Sequence, residues 1–178
     1  MIKLSATLDY VLRLETKVVR NTSKRPVPFD MTYDPGAGTT TIDRQFALDS
    51  GYKIMKLPLG EKVIGIGGNV EPGYTIIPNL ILDGRDLGPV YTHVIPFHRD
   101  LAERTLGLLG MNVLSWFKIT QDCHWNSDYS RFDTATLELE PKFDMSDVIS
   151  LDSFMPFSRA HRFGSAFVVD SANDVSMV

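Results

Sequence analysis

Apolar residues recur at alternate positions through the start of the chain. The positions are Ile2, Leu4, Ala6, Leu8, Tyr10, Leu12, Leu14 and Val18. Because successive side chains of a β-strand point to opposite faces, this spacing puts all of them on one face of an extended chain. The segment therefore predicts one long strand or two, with a bend near Asp9.

Further extended segments follow, and residues typical of turns separate them. Polar residues 21–26 predict a hairpin loop, and strands are predicted at 74–82 and 90–95 on either side of a turn at 83–86. Pro78 predicts a bulge or an edge in the first of these strands, because proline cannot donate to a sheet ladder. Many short strands with closely spaced turns are typical of an all-β protein, a small barrel or sandwich with few, short helices.

Composition is that of an ordinary globular protein. The 178 residues suffice for one domain, or one domain with an extension, and for a sizeable core. The balance of 43% apolar and 22% charged residues excludes disorder of the whole chain. The net charge of −4 argues against a nucleic-acid-binding surface. We expect no nucleic-acid partner.

Three features predict a cytoplasmic protein. The single cysteine, Cys123, cannot form an internal disulfide, which favours a reducing compartment. Residues 1–9 lack the apolar core of a signal peptide. No stretch approaches the roughly 18 apolar residues of a membrane span, so no membrane partner is expected.

Zinc-binding spacing is missing from the four histidines and the cysteine. His93 and His98 are five residues apart, and Cys123 and His124 are adjacent, whereas structural zinc sites use pairs such as Cys-x2-Cys. We therefore predict no metal site and no cofactor.

One carboxylate ends an extended run and enters a loop of very small residues. Asp34 is followed by Pro35, by Gly-Ala-Gly at 36–38 and by the β-branched run 39–42. The small residues leave room for another group to approach Asp34, and Pro35 fixes φ in the turn. Asp-Pro-Gly is equally an ordinary β-turn sequence, so the triplet alone does not separate a site from a plain turn.

Two further segments supply parts that a hydrolase built on one aspartate would need. Residues 63–69 interleave apolar strand formers with glycines and predict a mobile β-hairpin tip. Residues 106–110 form an apolar strand that ends in Gly110 and runs into the short helix-compatible stretch 111–117. A glycine at that point lets another backbone segment pack closely.

These motifs, in this order, resemble the retropepsin-like aspartic proteases. They are Asp-x-Gly-Ala with a Thr-rich follow-on at 34–42, Gly-Ile-Gly-Gly at 65–68 and Leu-Leu-Gly-Met-Asn-x-Leu at 108–114. The resemblance spans residues 18–122. It implies a small closed acid-protease barrel over 1–122 with one or two short helices, followed by a partly ordered extension, 123–178, of unknown role.

The resemblance also implies site residues. Asp34 takes the catalytic role, and the turn 108–110 supports its loop from beneath. The substrate-binding residues are Gly36 and Ala37 beside the aspartate and, in the flap over the substrate, Gly65, Ile66, Gly67 and Gly68.

Pro35 departs from the family pattern, which has Thr or Ser at this position. In family members that hydroxyl and its backbone N–H bond across the dimer axis, and proline supplies neither donor. Three consequences follow as alternatives: the loop is held differently, the dimer is weaker, or the site has lost its chemistry.

A rival triplet, Asp49-Ser50-Gly51, lies nearby. The family would accept it literally, but bulky Tyr52 follows where the family has a small residue, and no Thr-Thr-Ile comes after it. Residues 43–50 instead predict a short helix with Asp43 near its start and Gly51 as its C-terminal stop. Asp34 is therefore the preferred catalytic candidate.

Aspartic protease chemistry needs two aspartates that share a proton, and the chain has one such motif. The resemblance thus implies an endopeptidase that acts as a C2 homodimer on a polypeptide substrate, with the second Asp34 supplied by another copy. The alternative is a catalytically impaired module of the same fold that binds peptides or assembles a complex, which the proline at position 35 favours.

Overall fold

The structure, a computed structural model, describes residues 1–9, 11–57, 63, 72–98, 105–125, 127–128, 132–143, 160–163 and 166–169. Strands dominate these ranges. In chain order the elements are β1 (Ile2–Asp9), β2 (Val11–Val19), β3 (Pro26–Tyr33), β4 (Thr41–Asp43), α1 (Arg44–Asp49), β5 (Met55–Lys56), β6 (Gly73–Ile77), β7 (Leu80–Leu82), β8 (Arg85–Asp86), β9 (Val90–Ile95), β10 (Gly107–Leu109), α2 (Met111–Leu114), β11 (Phe117–Trp125), β12 (Phe132–Pro141), β13 (Ala160–Phe163) and β14 (Ala166–Val169).

The alternating segment at the start of the chain forms two strands. β1 and β2 pair antiparallel, with Asp9 opposite Val11, so the predicted bend near Asp9 is a tight reversal. The predicted polar loop then joins β2 to β3, which pair from Val19 opposite Pro26 to Arg13 opposite Thr32. The all-β prediction is confirmed.

The prediction of a closed barrel is wrong. The main sheet is open among the described residues and follows the order β11-β12-β1-β2-β3-β10-β4-β9-β6-β5, with β7 and β8 branching from β2. The branch arises because β1 takes the first part of one β2 edge, up to Leu14, and β7 takes the next part, Thr16 to Val18. Each backbone group of an edge can bond one neighbour, so the sheet forks at β2.

The strand predicted at 74–82 is broken in two. β6 ends at Ile77, Pro78 lies in a bend, and β7 begins at Leu80. The predicted turn after β7 is a tight hairpin in which Asp83 and Gly84 have φ of 47° and 72°. Strand β9 matches the predicted 90–95.

Strand β10 lies in the middle of the sheet and joins its two halves. It pairs parallel with β3, Leu109 opposite Tyr33, and antiparallel with β4, Gly107 opposite Ile42. The core on which these strands pack is apolar, and its largest fully buried side chains are Phe29, Ile2, Leu14, Met31, Ile42, Ile77, Leu80, Leu82, Leu87, Leu109, Leu114 and Leu137. The carboxyl end of β3 is therefore paired with a strand in the middle of the sheet.

The main sheet includes residues on both sides of the predicted domain boundary at 122. β11 continues to Trp125 and pairs with β12, which in turn pairs with β1. β13 and β14 form a separate two-stranded sheet. The division into a domain and an extension stays a prediction.

Of the described part of the chain, none of the helices is long and apolar enough to cross a bilayer. The cytoplasmic location stays a prediction.

Candidate active site

Asp34 lies directly after β3, where that strand leaves the sheet. Its backbone N–H donates to the carbonyl oxygen of Leu109 at 3.2 Å, which extends the parallel pairing of β3 with β10 by one residue. The residue is half-buried. Burial also raises the pKa of the Tyr33 hydroxyl just before it. The backbone bond to β10 therefore positions Asp34 at the edge of the core.

The loop after Asp34 folds back onto its carboxylate. The N–H groups of Gly36 and Ala37 donate to Oδ1 at 2.9 and 3.2 Å, and the Ala37 N–H also lies 3.1 Å from the Asp34 carbonyl oxygen. A Cβ at position 36 would lie 3.1 Å from Oδ1, so glycine leaves this contact uncrowded. Within the described ranges Oδ2 accepts no hydrogen bond. One oxygen is thus fixed by the loop and the other is available.

Helix α2 supports the loop from behind. Its first two N–H groups donate to the loop carbonyls: Met111 to Ala37 at 2.8 Å and Asn112 to Gly38 at 3.1 Å. A Cβ on Gly110 would lie 2.5 Å from the carbonyl carbon of Thr39. The predicted close approach at Gly110 is confirmed, because no larger residue fits between these two backbones.

Asn112 and Thr40 join three elements behind the loop. The Asn112 Oδ1 accepts from the Thr40 N–H at 2.6 Å and from the Thr40 hydroxyl at 2.8 Å. The Thr40 Oγ1 in turn accepts from the Gly110 N–H at 3.2 Å, and the Asn112 Nδ2 donates to the Tyr91 carbonyl oxygen at 2.9 Å. This network ties the loop, α2 and β9 together within the chain.

Sequence reasoning gave no role to Asn112 or Thr40. The available signal was an amide side chain two residues after a glycine at a helix start, with a run of threonines elsewhere in the chain. That pattern does not show which threonine meets the amide, because the two positions are 72 residues apart.

The rival triplet has the helical setting that the sequence predicts. Asp43 caps α1, its Oδ1 accepting from the N–H groups of Gln45 and Phe46, and Gly51 ends it with φ of 71°. Asp49 is exposed at the end of the helix, where the Gln45 side chain donates to it at 2.9 Å. The predicted helix is confirmed.

Asp43 has a second partner that the sequence did not indicate. Its Oδ2 accepts from the Phe97 N–H at 2.9 Å, so the cap of α1 also fixes the chain after β9. Tyr52, after the helix stop, is buried and donates its hydroxyl to the Val19 carbonyl oxygen at 2.8 Å. Burial raises the pKa of Tyr52 to about 12, although the charge of Arg20 opposes the shift.

The predicted flap residues Gly65, Ile66, Gly67 and Gly68 lie outside the described residues. The strands before and after this segment are described: β5 pairs antiparallel with β6, Met55 opposite Tyr74 and Lys56 opposite Gly73. The chain from 57 to 72 therefore connects two paired strands.

Among the described side chains, no three His, Cys, Asp or Glu residues are grouped so that they could hold a metal ion.

The family model described as aspartyl protease matches residues 21–113, which run from the loop before β3 into α2. No curated protein matches the chain significantly.

The solved structures that are similar to the chain include three with 13% to 22% identity. A retropepsin-like aspartic protease from Rickettsia conorii is 17% identical, with 76% of this chain and 89% of that chain covered and a TM-score of 0.48. EIAV protease complexed with the inhibitor HBY-793 is 22% identical, with 61% and 91% covered and a TM-score of 0.42. The retroviral protease-like domain of Ddi1 from Leishmania major is 13% identical, with 75% and 97% covered and a TM-score of 0.42.

Proposed function

This chain belongs to the aspartyl protease family, whose model matches residues 21–113 of its 178, and on that premise we propose that it is an aspartic endopeptidase. Two copies form a C2 homodimer in which the two Asp34 carboxylates activate a water for peptide hydrolysis. Gly36 and Ala37, with the flap residues at 65–68, line the path of the substrate.

The hydrogen bonding of the Asp34 carboxylate is the observation that supports this proposal. Oδ1 accepts two backbone N–H groups from its own loop, whereas Oδ2 accepts none among the described residues. Backbone donors hold the carboxylate in one orientation without a counter-charge, so that an oxygen is left for a water or a second carboxylate. A plain turn would explain the bonds to Oδ1, but it would not require the support that α2 gives the loop from behind.

The chemistry requires a second carboxylate close to the first. When two carboxyl groups share a site, like-charge repulsion lets one ionise while the other keeps its proton. The ionised group accepts a proton from the attacking water, and the protonated group donates to the scissile carbonyl oxygen. One chain has one such loop, so the second group comes from a second copy across a two-fold axis.

The substrate we propose is an extended polypeptide. It adds as a strand through backbone hydrogen bonds, and pockets beside alternate side chains give specificity. Gly36 is exposed and carries no side chain, which leaves the backbone next to Asp34 open to such a strand. On this proposal, the hairpin predicted from the sequence at 65–68 closes over the substrate in each copy and excludes water.

The test pairs Asp34→Asn with Asp49→Asn. Peptide cleavage is measured at acid to neutral pH, from about pH 3 to pH 7, because two carboxyl groups that share a proton work while one is ionised and the other is not. We expect Asp34→Asn to lower kcat by at least about 100-fold, because it removes the acid–base pair, and Asp49→Asn to leave kcat unchanged. Activity that survives Asp34→Asn would refute the assignment.

A mixing experiment tests the shared site. Inactive Asp34→Asn protein, added in excess to the wild type, converts active homodimers into heterodimers with one carboxylate. Activity should then fall with the fraction of variant, whereas the same excess of Asp49→Asn should not reduce it. A site contained within one chain predicts no loss in either mixture.

Pro35 favours a second candidate function, a peptide-binding module without catalysis. The residue is exposed and offers neither a hydroxyl nor an N–H for a bond to another copy. This candidate predicts no cleavage by the wild type at any pH in the range, together with peptide binding that Asp34→Asn leaves intact. Equilibrium binding of a labelled peptide library separates the two functions.

A further inference from the structure

Thr32 carries a buried hydroxyl that has no hydrogen-bond partner among the described residues. The residue is 5% exposed, and its Oγ1 neither donates nor accepts there. Other buried threonines of the sheet do have partners: Thr41 donates to the Thr39 carbonyl oxygen at 3.0 Å, and Thr92 donates to the Val90 carbonyl oxygen at 3.1 Å. Because an unpaired buried hydroxyl is costly, its presence in a native fold calls for a functional explanation.

Thr32 lies on the same face of β3 as Asp34. Phe29 and Met31 are fully buried in the core, and successive side chains of a strand point to opposite faces, so Thr32 points away from that core. The backbone stays paired with β10 as far as Asp34, whose N–H donates to the Leu109 carbonyl oxygen. Asp34 therefore shares the face of Thr32 and lies two residues, roughly 6.5 Å, further along the strand.

Residues of the adjacent strands flank Thr32 on this face. Arg13 of β2 is its antiparallel partner, and Leu108 of β10 is its parallel partner. Both are half-buried. The side chain of an arginine is long and can shift without moving its strand, so a substrate group can reach the hydroxyl although solvent does not.

We propose that the Thr32 hydroxyl selects substrates with a small, neutral, hydrogen-bonding side chain, such as that of Thr, Ser or Asn, next to the scissile bond. The inference rests on the function proposed above and names the substrate class of the same site. In the proposed dimer each copy contributes its own Thr32 beside its own Asp34. The two-fold axis therefore applies the same selection on both sides of the scissile bond.

Charge and shape restrict the class of side chain. A carboxylate on the substrate would lie near the ionised member of the Asp34 pair, and a cation would lie near Arg13, so like charges repel in both cases. Leu108 offers an apolar contact that suits the methyl group of a threonine. A purely aliphatic substrate side chain would cover the Thr32 hydroxyl and leave it without a partner, which weakens binding.

Matched peptides test this selection. A randomised peptide mixture is first digested by the wild type, and mass spectrometry identifies the residues that flank each cut. The best-cleaved sequence is then made with either Thr or Val at the flanking positions, because these two side chains have similar shapes and differ in the hydroxyl. We expect hydroxyl and amide residues to be enriched at the cuts, and kcat/KM to be about tenfold higher for the Thr peptide.

Three variants assign the preference to Thr32. Thr32→Val should abolish it, so that the Thr peptide is cleaved no faster than the Val peptide, whereas Thr32→Ser keeps the hydroxyl and should retain the preference. Ser50→Ala is the control, because Ser50 is fully buried with an unpartnered hydroxyl among the described residues but follows α1. Its ratio should equal that of the wild type. A ratio does not depend on the fraction of folded protein, so a general loss of stability cannot imitate the effect.

The stability of Thr32→Val provides a second readout. Since the change removes an unpaired buried polar atom, the midpoint of urea unfolding should shift to higher concentration. A shift to lower concentration would show that the hydroxyl already has a partner in the free protein, and it would overturn the inference. A Thr-to-Val ratio that Thr32→Val leaves unchanged, or a wild type that prefers the Val peptide, would also overturn it.

Failure of this inference and failure of the proposed function give different results. Equilibrium binding of two labelled peptide mixtures, with Thr or Val fixed at one central position, detects selection whether or not peptides are cleaved. Tighter binding of the Thr mixture that disappears in Thr32→Val, without cleavage, refutes the protease and keeps the selection. Cleavage that depends on Asp34, with the same ratio in Thr32→Val and the wild type, keeps the protease and refutes the selection. Binding of neither mixture refutes both.

Discussion

Two of the three Asp-x-Gly triplets in this chain, 34–36 and 49–51, have very different surroundings. Asp34 ends a strand, and its carboxylate is held by N–H groups of the following loop, which α2 supports from behind. Asp49 ends a helix, is exposed, and bonds to a side chain one turn earlier. The glycines differ as well, because Gly51 has a positive φ that stops the helix, whereas Gly36 makes room beside a carboxylate oxygen.

The difference shows that the triplet itself carries little information about the site. What distinguishes the first triplet is the chain behind it, where Gly110 and Asn112 bring a distant segment against the loop. A change in the support of one triplet can therefore be compared with a matched change at the other.

The largest effect is expected at the glycine behind the first triplet. Gly110→Ala puts a methyl group 2.5 Å from the Thr39 carbonyl carbon, a backbone atom that cannot move without displacing β10 or the loop. We expect a loss of about 3 kcal/mol or more in the free energy of unfolding, measured by urea denaturation.

Gly51→Ala is the matched reference for this change. There the new Cβ lies 2.8 Å from the Thr22 methyl, the end of an exposed side chain, and the main cost is the left-handed φ, about 1–2 kcal/mol. If Gly51→Ala destabilises the protein as much as Gly110→Ala, the close approach behind the Asp34 loop is not the stronger constraint.

Removal of the amide behind the first triplet should have the next largest effect. Asn112→Ala removes the acceptor of the Thr40 N–H and hydroxyl and one donor to the Tyr91 carbonyl oxygen, in a partly buried region. We expect a loss of about 2–4 kcal/mol in stability, with reduced cleavage of peptides because the Asp34 loop loses its support.

Gln45→Ala is the corresponding change at the second triplet. It removes an exposed bond from an amide to Asp49, so stability should change by no more than about 0.5 kcal/mol. Thr40→Ser, which keeps the hydroxyl, should cost only about 1 kcal/mol, for the buried methyl group that it removes. A small effect of Asn112→Ala would show that α2 and the loop are held by their backbone bonds alone.

The contribution of Tyr52, the residue after the second triplet, to the free energy of unfolding should depend on pH. Its pKa is raised to about 12 in the folded state, against an ordinary value near 10, so the folded protein holds this proton more tightly than the unfolded chain does. The resulting stability is fully present below about pH 10 and is lost as the pH rises through 12, a decrease of about 2 kcal/mol.

Tyr52→Phe should therefore change the alkaline slope. At pH 8 it costs about 1 kcal/mol, because the bond to the Val19 carbonyl is lost, but between pH 10 and 12 its unfolding free energy should fall less than that of the wild type. Urea unfolding at these pH values measures both. Parallel decreases in the two proteins would show that Tyr52 does not titrate with folding.

Much of the fold could be predicted because short-range patterns determine it. Local geometry accounts for the strands with alternating apolar residues from Ile2 to Val18 and for the helix that Asp43 caps and Gly51 ends. It also accounts for the close backbone approach at Gly110. The closed barrel could not be predicted correctly, because the fork at β2 depends on two strands, β1 and β7, that share one edge.

The candidate site could likewise be predicted only where its residues are close together in the sequence. Asp34 and its small-residue loop are contiguous, so the sequence displays them together. The Thr40–Asn112 network is a contact across 72 residues, and Asp43 bonds to Phe97 across 54. Such contacts appear only when the order of strands in the sheet is known.

The smallest effect is expected where the two triplets differ in their middle residue. Pro35→Thr gives the first triplet a hydroxyl and an N–H, the donors that Pro35 lacks and that could bond to a second copy across the axis. A net gain of about 1 kcal/mol over the whole interface corresponds to a fall of about fivefold in the dimer Kd, and we expect cleavage to rise at protein concentrations near that Kd. The folded monomer should lose less than 1 kcal/mol through the freer unfolded chain. Sedimentation and turnover that both stay at wild-type values would show that the Asp34 loop is held without these donors, as the bonds from Gly36, Ala37 and α2 within one chain allow.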